Sequence, residues 1–204
     1  MHIAVVGNIG AGKTTLTALL AKHYGWEALY ETVENNPYLE DFYSDMKRWS
    51  FNLQIFFLNS RFQQIAEINN FQRNVVQDRT IYEDAYIFAE NLHEMGLMTT
   101  RDHQNYRAIF DNITSFIKPP DLLVYLRASV PTLVNNIQRR GREYEAGIRI
   151  DYLSKLNEKY EDWVSGYNLG KLLVLDKDKL DFTGNPDDLG AVIQSIEAEI
   201  NGLF

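Results

Sequence analysis

Short unbroken apolar runs alternate along this chain with segments whose apolar positions recur every three or four residues. Ile3-Ala4-Val5-Val6, Ala28-Leu29-Tyr30, Val75-Val76, Leu122-Leu123-Val124-Tyr125-Leu126 and Leu172-Leu173-Val174-Leu175 have the continuous character of strands buried on both faces. Helical spacing fills the intervals, over 14–24, 38–47, 50–70, 81–94, 99–117, 131–140, 151–166 and 187–201. Asn36-Pro37 reads as an N-cap followed by proline at the first helical position, and Pro119-Pro120 stops a helix ahead of a strand. Within 50–70, Phe51, Ile55, Leu58, Phe62 and Ile65 form the expected core stripe. The alternation predicts a doubly wound α/β fold, with five parallel strands, helices on both faces and right-handed crossovers. Ligands then collect at the carboxyl ends of the strands. No internal repeat, linker or low-complexity tract appears, and the polar segment 139–149 is the one expected mobile insert.

The first strand runs straight into Gly7-Asn8-Ile9-Gly10-Ala11-Gly12-Lys13-Thr14, which fits the phosphate-binding pattern G-x-x-x-x-G-K-[ST] between a strand and a helix. The glycines let the backbone curl so that successive N–H groups face a polyphosphate, and the positive end of the following helix adds to that field. In such a loop Lys13 reaches the β- and γ-phosphates and the Thr14 hydroxyl ligates Mg²⁺. The pattern predicts binding of a nucleoside triphosphate.

Composition narrows the class. The 204 residues suit one domain, 1–204, at most with a small lid. A formal charge of −8 and a pI near 5.0 argue against binding bulk nucleic acid, which needs a surplus of Lys and Arg. With no cysteine there is neither a disulfide framework nor a thiolate metal site. No signal-like segment opens the chain and no apolar stretch is long enough for a membrane span, so the expectation is a cytoplasmic enzyme.

If the sheet is right, residues just past each strand face the phosphate loop. The second strand delivers Glu31; the third delivers Asp78 and Arg79. Phosphoryl transfer needs positioning, charge neutralisation and a group that takes the acceptor's proton. These needs assign Glu31 as base for an acceptor hydroxyl, Asp78 to the Mg²⁺ shell, and Arg79 to orienting the acceptor oxygen and Glu31. The segment 139–149 holds four arginines in an otherwise acidic chain, which suits a lid closing on phosphates, although Arg139 also fits a solvated helix end complementing its own dipole. In the helix over 50–70, Gln54 and Arg61 stand two turns apart on one face. A largely buried arginine demands a carboxylate, for which Asp84 is the candidate, and Phe88 follows one turn later. Gln54, Arg61 and Asp84 could offer donors and acceptors to a nucleobase edge and Phe88 a ring to stack on it; a plain internal salt bridge is the alternative.

Taken together, these residues resemble the deoxynucleoside kinase family, most closely its bacterial deoxyadenosine/deoxyguanosine kinase branch. The resemblance covers nearly the whole chain and rests on 7–15, 31–39, 49–61, 78–88, Tyr125-Leu126-Arg127, 139–145 and Val174-Leu175-Asp176. It implies a P-loop kinase fold with an Arg-rich lid, Mg²⁺-dependent transfer of the ATP γ-phosphate to a nucleoside 5′-hydroxyl, and a homodimer. Gly7, Asn8, Ile9, Gly10, Ala11, Gly12, Lys13, Thr14 and Thr15 would then hold ATP, helped by Arg140 and Arg142 of the lid and by Asp176 at the start of an adenine loop. Glu31 matches the family's base, Arg79 the arginine on the same hydroxyl, and Asp78 the acid serving the metal. Tyr43 and Glu145 match the pair that binds the sugar 3′-hydroxyl. Gln54 matches the reader of the base edge, Arg61 and Asp84 the charged pair around it, and Phe88 the stacking ring. Thr32 stands where many relatives have proline, and Asn36 where many eukaryotic relatives have tryptophan. Both leave open whether purine deoxynucleosides or deoxycytidine are preferred.

A nucleoside monophosphate kinase shares the loop, an Asp-Arg after the third strand and a basic lid. Its acceptor phosphate would repel a facing carboxylate, so Glu31, with Glu34 close by in sequence, favours an uncharged hydroxyl. A GTP-driven switch reads guanine through Asn-Lys-x-Asp, a tetrapeptide the sequence lacks.

Overall fold

The computed structural model describes residues 1–31, 36–71 and 73–202. Five strands form one parallel sheet: β1 (His2–Val6), β2 (Glu27–Leu29), β3 (Val75–Asp78), β4 (Leu122–Arg127) and β5 (Lys171–Asp176). Their order is β2-β3-β1-β4-β5, the doubly wound arrangement expected from the sequence, with the first strand at the centre. The alternation of side chains across β1 divides the core. Ala4 and Val6 pack with Leu53, Phe57 and Leu58 on one face, and Ile3 and Val5 with Leu16, Leu20 and Ile196 on the other.

The first face is covered mainly by α2 (Leu39–Ser44), α3 (Met46–Phe71), α6 (Thr100–Thr114) and α8 (Ile150–Ser165), and the second by α1 (Lys13–Tyr24) and α9 (Pro186–Asn201). Among the described residues no helix is long and apolar enough to cross a membrane. The helix anticipated over 38–47 ends at Ser44, and α3 begins at Met46 rather than 50. The cause is Asp45, whose carboxylate accepts the Arg48 N–H at 3.0 Å and so starts a new helix. Asn36 does not cap α2. Its side chain accepts the Tyr38 N–H at 3.0 Å, closing a turn before the helix begins.

The stripe read for α3 is also rotated in part. Leu58 and Ile65 are buried, but Phe62 is 43% exposed, while Gln54 and Arg61 lie inside. The helix anticipated over 81–94 is present as α4 (Ile81–Glu83), a π-helical segment (Asp84–Ala89) and α5 (Glu90–Glu94). Such wide turns gather at functional sites, and this one carries both Asp84 and Phe88. Beyond the second strand, Thr32, Val33 and Glu34 fall outside the described residues.

Candidate active site

Register brings the catalytic candidates together. Val5 pairs with Asp78 and Leu29 with Gln77, so the ends of β1, β2 and β3 open on one cavity of about 560 Å³. Lys13, Thr14, Glu31, Tyr43, Gln54, Asp78, Arg79, Asp84, Phe88, Arg140, Arg142 and Glu145 all line it. Among the predicted loop residues Ile9 and Gly10 also reach the cavity. Gly7, Asn8, Ala11, Gly12 and Thr15 do not line it, and Arg61 stands behind the wall, 1% exposed. Asp176 lies apart at the end of β5, where it pairs with Lys179 at 2.7 Å. The chain that follows it returns to the phosphate loop, for Phe182 and Lys177 are the nearest side chains to Gly12.

Conformation explains the glycines of the phosphate loop. Gly10 has φ +85, and a Cβ there would sit 2.7 Å from the Leu133 carbonyl oxygen. Gly12 stands at the N-terminus of α1, where no side chain caps the helix, so the first-turn N–H groups are left to a ligand. The Lys13 ammonium donates to the Asn8 carbonyl at 3.0 Å. Burial, with Arg79 adding to it, lowers the Lys13 pKa to about 8 against the pull of Asp78, Glu31 and Glu83. Thr14 Oγ1 donates to Asp78 Oδ2 at 2.5 Å, and Asp78 Oδ1 is buried with no hydrogen-bond partner among the described residues.

Glu31 is gripped by two guanidinium groups. Its Oε1 is 2.8 Å from Arg79 Nε and 3.2 Å from Arg61 Nη2. Burial alone would favour the neutral acid, but Arg79, then Arg61, Lys13 and Arg142, outweigh it and hold the Glu31 carboxyl below the usual carboxylate range. Arg61 also reaches Asp84, with Nε 3.4 Å from Oδ2, as its burial required. Burial pushes Asp84 up to about 6 in spite of Arg61 and Arg79. The Arg79 guanidinium lies 4.4 Å over the Phe88 ring, so part of that ring's face is already covered. Gln54 is buried in the wall, and its Oε1 has no hydrogen-bond partner among the described residues.

The segment anticipated as a mobile lid is folded here onto its own acid. α7 (Val130–Arg140) ends at left-handed Gly141, and a 3₁₀ turn, Glu143–Gly147, follows. Arg140 grips Glu145 with two bonds, at 3.0 and 2.5 Å, and Arg142 stands 3.5 Å from the same carboxylate. Tyr144 stacks on Tyr43, ring centres 5.9 Å apart.

Sequence reasoning missed the network beneath the loop. Fully buried Glu83 accepts the Gly7 N–H at 3.2 Å and the Thr80 N–H at 2.8 Å, the latter within a reciprocal capping box. The Tyr160 hydroxyl lies 2.7 Å from both Gly7 O and Glu83 Oε1 and accepts from Arg79 Nη1 at 3.2 Å. Arg79 itself has φ +70, a strained value for a non-glycine residue, and the capping box secures the backbone directly after it. Asn8 donates to Leu153 O and Asn157 Oδ1, and Asn136 donates to Gly10 O, which ties the loop to α8 and α7. The capping box Thr80-x-x-Glu83 was the one signal in the sequence that could have drawn attention to Glu83.

Parallel five-stranded sheet, phosphate loop and buried acid–arginine cluster together define a phosphoryl-transfer enzyme. The deoxynucleoside kinase family matches residues 3–201 of the chain. The deoxyadenosine/deoxycytidine kinase of Bacillus subtilis (strain 168) is 38% identical over 201 residues, 98% of this chain and 93% of that protein. The deoxyguanosine kinase of Lactobacillus johnsonii is 37% identical over 210 residues, again 98% of this chain and 93% of the relative. The solved structure of deoxyadenosine kinase from M. mycoides with bound dATP matches with a TM-score of 0.85 at 32% identity, covering 97% of this chain and 100% of that one. The chain belongs to the deoxynucleoside kinase family. It is a phosphotransferase that carries the ATP γ-phosphate to the 5′-hydroxyl of a deoxynucleoside.

Proposed function

We propose that this kinase acts on deoxyadenosine in preference to other deoxynucleosides, in nucleotide salvage, and that Glu31 removes the proton of the 5′-hydroxyl. One observation carries the reading: a carboxylate, not a cluster of free cations, stands opposite the phosphate loop in the shared cavity. An acceptor that already carried a phosphate would be repelled there, whereas an alcohol is hydrogen-bonded and deprotonated. Because Arg79 and Arg61 keep Glu31 ionised, the base is ready at neutral pH, though weak. A loose transition state, in which the alcohol loses its proton late, needs no stronger one.

Gln54 supports the base preference. Its buried, unpartnered Oε1 calls for a donor, and the amino group of adenine or of cytosine supplies one beside a ring nitrogen that the Gln54 amide N–H can meet. Deoxycytidine is therefore the second substrate to expect. Arg61 and Asp84 brace this corner, Phe88 offers the remainder of its ring to the base, and Tyr43 with Glu145 would hold the sugar 3′-hydroxyl. Arg140 and Arg142, now on Glu145, would turn to a donor's phosphates when the lid rearranges.

Thr14 and Asp78 fit a Mg²⁺ ion, since both offer hard oxygen donors and Asp78 Oδ1 lacks any other partner. When bound, the ion neutralises charge on the β- and γ-phosphates. Lys13 and the N–H groups at the start of α1 would orient the same phosphates, and Arg79 would hold the acceptor oxygen against Glu31. The exposed Tyr86, Ile109 and Phe116 favour a homodimer through α6 and the π-helical segment. A cytoplasmic location follows from the substrates this chemistry uses.

A panel of deoxyadenosine, deoxyguanosine, deoxycytidine, thymidine and dTMP at fixed Mg-ATP tests the reading. Deoxyadenosine should be phosphorylated fastest and dTMP not at all. Turnover of dTMP without turnover of any nucleoside would overturn it.

A further inference from the structure

Away from the cavity, α5 and α6 bring two imidazoles and a carboxylate into one cluster. Glu90 and His93 stand three residues apart on α5, hence on one face of a single turn. His103 comes from the start of α6, across the turn that joins the two helices. Its Nε2 lies 3.2 Å from Glu90 Oε2. The His93 and His103 rings stack face to face, with centres 4.4 Å apart and planes within 1°. One ligating atom from each of the three residues falls within 4.8 Å of the other two.

This cluster is incomplete as a purely structural feature. Among the described residues His93 Nδ1 is buried without a hydrogen-bond partner and His103 Nε2 meets only the Glu90 carboxylate; a buried polar group left unpaired costs about 1–3 kcal/mol. Stacked imidazoles repel one another when both are charged. Burial, moreover, keeps His103 below the usual imidazole range against the opposing pull of Glu90. Neutral imidazole is the form that ligates a metal, and two histidines with a glutamate are a known zinc donor set.

We propose that Glu90, His93 and His103 form a zinc-binding site that cross-links α5 to α6. With His93 bound through Nδ1, its Nε2–H faces the Thr100 hydroxyl at 3.2 Å, the kind of outer contact that fixes a ligating ring. Three protein ligands leave a fourth position to water. Bonds of about 2.0–2.2 Å put the ligand atoms roughly 3.3 Å apart in a tetrahedral shell, so the cluster contracts on loading. Parallel rings aim their lone pairs side by side, so one ring must turn about its Cβ–Cγ bond, a soft torsion in histidine. Arg107, one turn after His103, is the neighbouring cation, and its guanidinium is directed onto the Tyr86 and Phe110 rings. Since α5 continues directly from the segment bearing Asp84 and Phe88, the ion would stiffen the helix that walls the base pocket.

The test uses the full chain without a histidine tag, stripped with EDTA and dialysed against Zn²⁺ in the absence of nucleotide. One retained ion per chain is expected, with a rise in melting temperature. Both effects should vanish in a His93→Ala/His103→Ala double variant and persist in His23→Gln, whose histidine lies elsewhere. Should the double variant not fold, Glu90→Gln keeps the side chain's shape and should weaken zinc binding by about tenfold or more. Co²⁺ in place of zinc should give a visible absorption band with nitrogen ligation in the parent chain and none in these variants. Failure of the parent chain to retain zinc, or equal retention by the folded variants, overturns the proposal.

Discussion

Two opposing demands meet at Glu31. A base must be ionised to accept a proton, yet the strong cations that keep it ionised also weaken it. Here Arg79 at 2.8 Å and Arg61 at 3.2 Å decide the balance in favour of ionisation. Replacement by glutamine keeps the shape and removes the acceptor. Glu31→Gln should therefore lower kcat by ~10²–10⁴-fold with little change in nucleoside KM, measured by steady-state kinetics. A near-normal kcat would take Glu31 out of the role. Lys13 sets the other limit of pH. With its pKa lowered to about 8, it is charged below that value and loses its charge as pH rises through it. The profile of kcat/KM for ATP, which reports the free enzyme, should consequently fall above about pH 8. Bound phosphates restore the charge, so kcat itself should decline only at higher pH. Coincident limbs in the two profiles would contradict this account. The hydroxyl of Tyr160 poses a smaller question of the same kind. Tyr160→Phe leaves Gly7 O and Glu83 short of a partner in the interior, and should cost about 1–3 kcal/mol in chemical denaturation and raise the KM for ATP.

Helix α3 shows both how far an amphipathic pattern carries and where it stops. Counting apolar residues alone selects Phe51, Ile55 and Phe62, yet the inward face runs through Ser50, Gln54, Phe57, Leu58, Arg61 and Ile65. Three of these positions are polar, and two of them, Gln54 in the cavity wall and Arg61 behind it, break the hydrophobic stripe beside the cavity. Arg61 was legible by another route, since a buried guanidinium must have an acid, and Asp84 provides it. The π-helical turn over Asp84–Ala89 was not read from residue spacing, because nearly every residue from Ile81 to Ala89 is buried and no polar face marks the change of register. Glu83 and Tyr160 were equally hidden, as their partners are backbone atoms of a loop 76 and 153 residues away. The strands, by contrast, needed only continuous apolar runs, and the phosphate loop only its glycines. Removing the guanidinium tests the brace that α3 supplies. Arg61→Ala strands Asp84 and leaves Glu31 to Arg79 alone, which should cost about 3–5 kcal/mol of stability. It should also raise the KM for deoxyadenosine well beyond that for ATP. An unchanged nucleoside KM would reduce Arg61 to a fold element.

At the scale of the whole molecule, net charge and surface pattern pull self-association in opposite directions. A chain of charge −8 repels copies of itself at long range, so self-association requires apolar contact strong enough to win at short range. Screening confines the repulsion to about 8–10 Å at physiological salt, which leaves contact energies to decide. Phe116, two residues past the end of α6, is 85% exposed, an unusual position for a phenylalanine, and Ile109 is exposed on α6 itself. Tyr86 meets the same helix, its ring edge-on to Phe110 at 5.4 Å and overlain by Arg107. A symmetric dimer that buries these side chains would withdraw apolar surface from water, and since no residue of α6 lines the cavity it would leave the cavity lining itself unchanged. Phe116→Lys places a like charge opposite itself across such a two-fold axis. Sedimentation velocity should then show a dimer for the parent chain and a monomer for the variant, while the melting temperature moves by little, since the residue makes no part of the core. A parent chain that sediments as a monomer at micromolar concentration, or a variant that remains dimeric, would move the contact surface elsewhere. Because Tyr86 belongs to the same π-helical segment as Asp84 and Phe88, docking on this face would also restrain the wall of the nucleoside pocket, and the variant's KM for deoxyadenosine should rise together with its dissociation.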